Sequence, residues 1–337
     1  MYKRQEKGIE EATEAYTVLD FGVAFNEMAT KASTTVVPGE DRPATGDENN
    51  DEKKISEVSV FLLEDGKVIG ILIPQNRNQV SSNSDGSITL KDLKFVTKYK
   101  TNRTLEAHVV INGNQFLKNI NIGDAQSALN QQISGCLSAD QLIKYGSTRI
   151  VFGKDITNSY SSPSVAENNP TTILVKVSHV AARLDFSQFD VTLKGFEGNP
   201  TVVFDEAKFV NLQQNGKIVE GDASVNVKDG AFLNRSNRIG TRWTDMGTAY
   251  GYANQYRQDS EMNTALYVKF TVDGRTFEKT YPINPAGITK EVDHNGIKGG
   301  YLYDIKVRWT ITPDWGDSTI EFYTRDWVHN SIPEIVL

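Results

Sequence analysis

Four histidines and one cysteine are the residues from which a metal site or a strong nucleophile would have to be built. His108, His179, His294 and His329 are scattered, and none stands three or four residues from another histidine or from the cysteine, as zinc motifs require. Cys136 is the only cysteine, so an intramolecular disulfide and a cysteine zinc cluster are excluded. It has no histidine or basic neighbour in sequence to lower its pKa and reads as a small buried apolar residue. The nucleophile elbow, the P-loop, HExxH and the dinucleotide glycine pattern are all absent. The carboxylates of Asp47–Glu52 lack the alternating aspartates and closing glutamate of a calcium loop, so they read as a solvated stretch. Trp243 and Trp309 read as packing residues; Trp315 and Trp327 could offer a flat platform to a sugar or close the ends of a sheet. The expectation is a protein that is not an enzyme and uses no cofactor or metal.

Bulk properties bound the rest. A length of 337 residues, 38% apolar and 23% charged, suits two domains, each with a core. The net charge of −7 argues against nucleic acid as a partner. Apolar runs such as Val58–Leu63 and Val68–Ile73 are far shorter than the roughly 18 residues a membrane-spanning helix needs.

Period-2 alternation dominates the chain. Tyr16–Phe25 puts Thr17, Leu19, Phe21, Val23 and Phe25 on one face, the mark of a strand with one buried side. The Pro-, Gly- and acid-rich stretch 32–54 reads as a linker. Asp65-Gly66 and Asp273-Gly274 predict hairpins, and Thr104–Ile111 predicts a strand ending at Asn112-Gly113. Two short helices are expected in this half, one over 125–133 capped by Asp124 and one over 139–146 capped by Ser138 and stopped by Gly146. Residues 159–169 read as a loop. Strands follow over 172–186, 189–193, 201–204, 207–210, 265–272, 276–283, 301–312 and 319–328, while 221–256 carries no assignable pattern. Many short strands without a βαβ rhythm give an all-β fold of two β-sandwich domains, 1–170 and 171–337.

A set of segments in this order resembles the Bacteroidales fimbrillin family. Lys54–Gly70 (KISEVSVFLLEDGKVIG) is similar to its first strand pair, Thr104–Asn114 (TLEAHVVINGN) to its central strand, and Thr171–Val191 to the passage between its domains. Tyr250–Gln255 (YGYANQ) resembles its aromatic–Glu–Asn segment with Ala253 in place of Glu, and Tyr301–Ile311 its strand near the C-terminus. The resemblance implies transthyretin-like sandwiches and a subunit of a cell-surface fimbria. It implies export as a lipoprotein precursor to the outer membrane, with the signal and lipobox upstream of this chain. It also implies cleavage after a basic residue, loss of the N-terminal strand, and filling of the groove by a strand from a neighbouring subunit. Residues 28–35 (MATKASTT) resemble the cleavage region, with Lys31 before Ala32 where arginine is usual, which favours a trypsin-like or lysine-specific maturation protease. The removable strand is then Thr17, Leu19, Phe21, Val23 and Phe25, and the donor strand Ile320, Phe322 and Thr324, extended by Trp327 and Ile332. Partners are other subunits of the same kind, with host proteins or glycans as adhesion targets. The rival readings are a fimbrial tip adhesin, a monomeric surface glycan-binding lipoprotein, and a hydrolase with a site between the domains.

Overall fold

The apolar alternation becomes extended chain nearly everywhere it occurs. The computed structural model describes residues 14–25, 51–84, 86–219, 223–234, 238–254, 261–283, 296–314, 316–326 and 334–335. In its first half the strands are β1 (Tyr16–Phe25), β2 (Lys54–Ile55), β3 (Val58–Glu64), β4 (Lys67–Leu72), β5 (Val80–Ser82), β6 (Ile88–Lys98), β7 (Thr104–Ile111), β8 (Gln132–Ser134), β9 (Lys144–Val151) and β10 (Thr171–His179). Eight of them form one sheet in the order β4-β3-β7-β9-β10-β1-β6-β5. The sheet curls until the Phe95 ring of β6 lies over Gly70 of β4, where a Cβ would stand 2.8 Å from the ring. Inside the curl Leu19, Phe21, Val23, Val60, Leu62, Leu90, Leu105, Val109, Ile150 and Val175 form a core.

The second half contains β11 (Ala182–Leu193), β12 (Val202–Val210), β13 (Leu212–Gln213), β14 (Asn215–Lys217), β15 (Val227–Lys228), β16 (Phe232–Asn234), β17 (Arg238–Ile239), β18 (Arg242–Gly251), β19 (Ala265–Val272), β20 (Arg275–Pro282), β21 (Tyr301–Ile311), β22 (Gly316–Asp326) and β23 (Glu334–Ile335). A four-stranded sheet, β18-β11-β21-β22, faces a sheet ordered β16-β12-β19-β20 with β17 also on β12. Aromatic rings fill the space between them. Phe189 packs edge-on against Phe204 at 5.4 Å and Phe270 at 5.3 Å and stacks on Trp243 at 5.3 Å. Trp309 meets Phe270 at 5.0 Å. Trp243 and Trp309 are thus core residues, and both are buried.

The change of sheet falls at Val180–Ala181. The stretch 172–186 is two strands, and Thr171–His179 is hydrogen-bonded into the first sheet beside β1 and β9. Both Asp-Gly hairpins form, with φ of 50° and 71° at Asp65-Gly66 and 45° and 82° at Asp273-Gly274. These left-handed values match the twist of the flanking strands.

The two expected helices do not form at 125–133 and 139–146. Gln126–Leu129 is a single 3-10 turn followed by β8, and Ala139–Gln141 another before β9. Asp124 turns backward, its carboxylate accepting from the Asn121 N–H at 2.7 Å, and the Gln126 N–H is taken by the Gly66 carbonyl at 2.8 Å. Ser138 makes no side-chain cap. Isolated windows of this length cannot hold a helix against tertiary strand pairing. The short helices of this half lie elsewhere: α1 (Asn114–Leu117), just past Asn112-Gly113, and α2 (Pro163–Glu167), inside the expected loop. For α2 the signal was Ser162-Pro163, a capping serine ahead of a first-turn proline.

Candidate functional site

β1 is an interior strand of the first sheet, between β10 and β6. It runs parallel to β10, from Leu19↔Thr171 to Phe25↔Val177, and antiparallel to β6, from Tyr16↔Lys98 to Val23↔Ile88, with a slip between Leu19 and Phe21. Both neighbours come from later in the chain, and β1 joins the rest through residues 26–50. Without it the sheet would divide into β4-β3-β7-β9-β10 and β6-β5.

Its alternating set is buried as the period demands: Thr17, Leu19, Phe21 and Val23 at 0% exposure, Phe25 at 6%. The opposite face is covered too. Val18 is fully buried, and α2 packs across β1 and β6, with Ala166 buried beneath it. At Gly22 the Leu174 side chain comes within 3.2 Å of where a Cβ would lie. The start of the strand is fastened by paired bonds between Tyr16 and Tyr160, each 2.8 Å, and by the Tyr99 N–H donating to the Ala15 carbonyl at 2.7 Å. Glu14 pairs with Lys98 and accepts from the Tyr16 hydroxyl, and these bonds hold its carboxyl below the usual range.

Lys31 and Ala32 lie outside the described residues, as do Trp327, Ile332, Trp315, His294 and His329. The described part of the 32–54 stretch, from Asp51 onward, is ordered and includes β2. Ile320, Phe322 and Thr324 lie on β22, opposite Val307, Ile305 and Tyr303 of β21. That ladder runs unbroken from Tyr301↔Asp326 to Ile311↔Gly316 at the edge of the four-stranded sheet, in a different sheet from β1. The chain then returns to the first sandwich, where β23 pairs in parallel with β2, Lys54↔Glu334 and Ile55↔Ile335, beside β5.

Among the described residues, Cys136, Arg103 and His108 are engaged by neighbouring side chains. Among the described residues no three His, Cys, Asp or Glu side chains gather to hold a metal. Cys136 is half-buried at φ 56°, accepts from Gln115 at 3.1 Å, and burial pushes its thiol upward. A cavity of about 640 Å³ opens between Asp65-Gly66 and Lys100–Thr104. Its central cation, Arg103, is spent on Glu64 in a two-pronged pair at 2.6 and 2.8 Å. The Arg103 bond, ahead of the opposing effect of burial, holds Glu64 below its ordinary value.

His108 is buried on β7, its Nδ1 2.8 Å from the Tyr145 hydroxyl and its Nε2 3.3 Å from Glu106. Burial lowers its pKa from 6.5 more than Glu106 raises it. The unfolded chain therefore takes up this proton first as pH falls. Stability should be flat above about pH 6.5 and decline below it, until the lower folded-state value is passed, by at most about 1.4 kcal/mol per pH unit. Thermal unfolding between pH 8 and 5 should show this slope in the wild type and a reduced one in His108→Gln; equal slopes refute it.

A candidate cell adhesion protein of Parabacteroides distasonis superposes with a TM-score of 0.63 at 17% identity, over 94% of this chain and 98% of that one. The chain has the fold of the Bacteroidales fimbrial proteins. A fimbrial assembly protein of the same species gives 0.52 at 16% identity, over 93% and 100% of the two chains. The fimbrilin FimA of Porphyromonas gingivalis gives 0.51 at 14%, over 93% and 98%. No family model and no curated protein sequence matches the chain. The all-β architecture expected from alternation is thus the fimbrial one along nearly the whole length.

Proposed function

We propose that this chain is a structural subunit of a cell-surface fimbria that polymerises by strand exchange. The observation that carries the reading is β1: an apolar, central strand, joined to the fold through 26–50 and held by neighbours from later in the chain. Withdrawing such a strand leaves unpaired N–H and C=O groups on β10 and β6 and uncovers a stripe of core. An extended segment from another subunit restores both. A contact of this kind runs head to tail and does not close, so it builds filaments. The fold shared with fimbrial and cell adhesion proteins supports the same reading. Under it, a trypsin-like or lysine-specific protease cuts after Lys31, and the protein is displayed on the cell surface after export as a lipoprotein precursor.

The fold also bears on which segment is donated. Releasing Ile320, Phe322 and Thr324 means dismantling the whole β21–β22 ladder and baring β21, whose Leu302, Tyr303, Ile305 and Val307 are fully buried. Of the chain after Asp326, the described residues Glu334–Ile335 pair with β2 over two residues and lie beside β5. We propose that the donated segment begins after Asp326, with Trp327 and Ile332, and that Ile320, Phe322 and Thr324 stay in β22. Limited trypsin digestion with mass spectrometry, size-exclusion chromatography and negative-stain microscopy tests the reading. Cleavage after Lys31 followed by growth into multimers or filaments is the expected result. A resistant Lys31, or a cut protein that stays monomeric, overturns it.

A further inference from the structure

One buried carboxylate is used neither by the β1 groove nor by the tail. Glu52 is fully buried, although it stands in the stretch that reads from sequence as solvated linker. Its Oε2 accepts from Arg183 Nη1 at 3.0 Å, and its Oε1 accepts from the Tyr250 hydroxyl. Arg183 opens β11 and Tyr250 closes β18, so both belong to the second sandwich. The Glu52 backbone carbonyl accepts from Lys144 Nζ at 2.7 Å; Lys144 is buried and belongs to β9 of the first sheet. Arg183 in turn donates to Asp185 at 2.9 Å, and Thr248 donates to the same oxygen at 2.7 Å. Burial pulls the Arg183 guanidinium toward neutrality, but Asp185 and Glu52 together outweigh it and hold it charged. Burial, then the Glu52 charge, raise the Tyr250 phenol far above its ordinary value.

The same segment is pinned a few residues later to the first sandwich. Asn112, held at φ 58°, donates through its side chain to the Lys54 carbonyl at 2.9 Å. Its side-chain oxygen accepts from the Ser56 N–H at 2.9 Å, and its N–H donates to the Glu57 carbonyl at 3.0 Å. A buried carboxylate answered by a cation and a phenol of the second sandwich, on a residue whose backbone carbonyl takes a lysine of the first, is a costly arrangement that is stable only when all partners are present.

We propose that Asp51–Glu57 is a clasp between the two sandwiches: Glu52 fastens it to the second, Lys144 and Asn112 fasten it to the first, and together they set how the sandwiches seat against each other. Around the clasp the junction carries an apolar cluster with Phe61, Leu142, Ile143, Ala181, Ile218, Tyr252 and Leu302. The strand pair β8–β14 and the Tyr252 hydroxyl donating to the Gly135 carbonyl at 2.7 Å also cross it. The clasp holds the chain immediately downstream of residues 26–50. It needs neither polymerisation nor proteolysis to be correct.

Hydrogen exchange with mass spectrometry on the intact chain tests it, comparing the wild type with Glu52→Gln, Tyr250→Phe and Asn112→Gly. Glycine at 112 keeps the left-handed backbone and removes only the side-chain bonds. Glu52→Gln should speed exchange roughly tenfold or more on both sides of the junction, at 51–55, 142–146, 182–185 and 248–252, with β1, β6 and β19 unchanged. Tyr250→Phe, which loses one bond, should show the same pattern more weakly. Asn112→Gly should loosen 54–57 and 112–114, and Leu142 through the lost bond to its carbonyl at 3.3 Å, but leave 182–185 and 248–252 unchanged. Acceleration confined to 51–55 in Glu52→Gln overturns the proposal, because Glu52 would then hold only its own segment. Uniform acceleration across both sandwiches also overturns it, as general destabilisation. None of these measurements reads assembly, so the fimbrial reading stands or falls separately.

Discussion

Replacing Phe21 by alanine is expected to lower the unfolding free energy by about 3–5 kcal/mol, the usual cost of emptying a buried phenylalanine site. Phe21 is fully buried in the core of the first sandwich, at the middle of β1, with ladder bonds to β10 on one side and β6 on the other. The surrounding strands are fixed by those ladders and cannot collapse into the space, which places the cost toward the upper end of the range. Leu174→Ala is the matched control. Leu174 lies beside β1 on the other face of the sheet but is 52% exposed, so its truncation should cost about 0.5 kcal/mol or less. Urea unfolding followed by circular dichroism measures both. Similar small losses in the two variants would show that β1 is not seated as described. The result also bears on exchange, because the apolar set that seats β1 is what a replacing strand must supply.

Gly146→Ala should be comparably damaging. Gly146 lies in β9 where that strand passes β10, and a Cβ there would stand 1.8 Å from the Lys176 carbonyl oxygen, 2.7 Å from its carbon and 2.9 Å from Val177 Cα. Every one of these atoms is backbone, so no rotamer change relieves the clash; β9 or β10 must move. β10 is also the strand on which β1 rests, so the displacement reaches the groove. The expected outcome is a stability loss above about 3 kcal/mol, with reduced soluble yield. Gly66→Ala makes a useful contrast. At φ 71° it meets nothing within 4 Å, so only backbone strain of about 1 kcal/mol applies. A thermal midpoint for Gly146→Ala equal to that of Gly66→Ala would contradict the close approach of β9 and β10.

Gly146 shows how far local pattern reaches. In sequence it looks like the stop of a short helix, and in the structure it is the one residue small enough to let two strands approach. The windows 125–133 and 139–146 have helical spacing, but each covers only two turns, and the pairing of Ile133 with Gly216 and of Lys144 with His179 outweighs so weak a preference. Glu52 was hidden for a related reason. Its neighbours are acidic and polar, and its partners Arg183 and Tyr250 are more than a hundred residues away, so nothing nearby marks it as buried. α2 was legible through Ser162-Pro163 but lay inside a stretch whose other residues favour a loop.

By itself, the order of residues determined most of the strands and the turns between them, though not β8, the start of β9 or β15–β18 within 221–256. The burial of Thr17, Leu19, Phe21, Val23 and Phe25 follows from period-2 alternation, and the hairpins at Asp65-Gly66 and Asp273-Gly274 follow from residues that tolerate left-handed backbone. Both patterns are written within a few residues, where chain geometry leaves little choice of face or turn. Tertiary structure alone decided that β1 sits between β10 and β6, that β22 is committed to β21 while β23 returns to β2, and that Asp51–Glu57 joins the two sandwiches. A strand pattern states which face is buried but not which strand lies alongside it, because backbone N–H and C=O groups are the same in every residue but proline. The choice of partner is made by how whole sheets close around their cores.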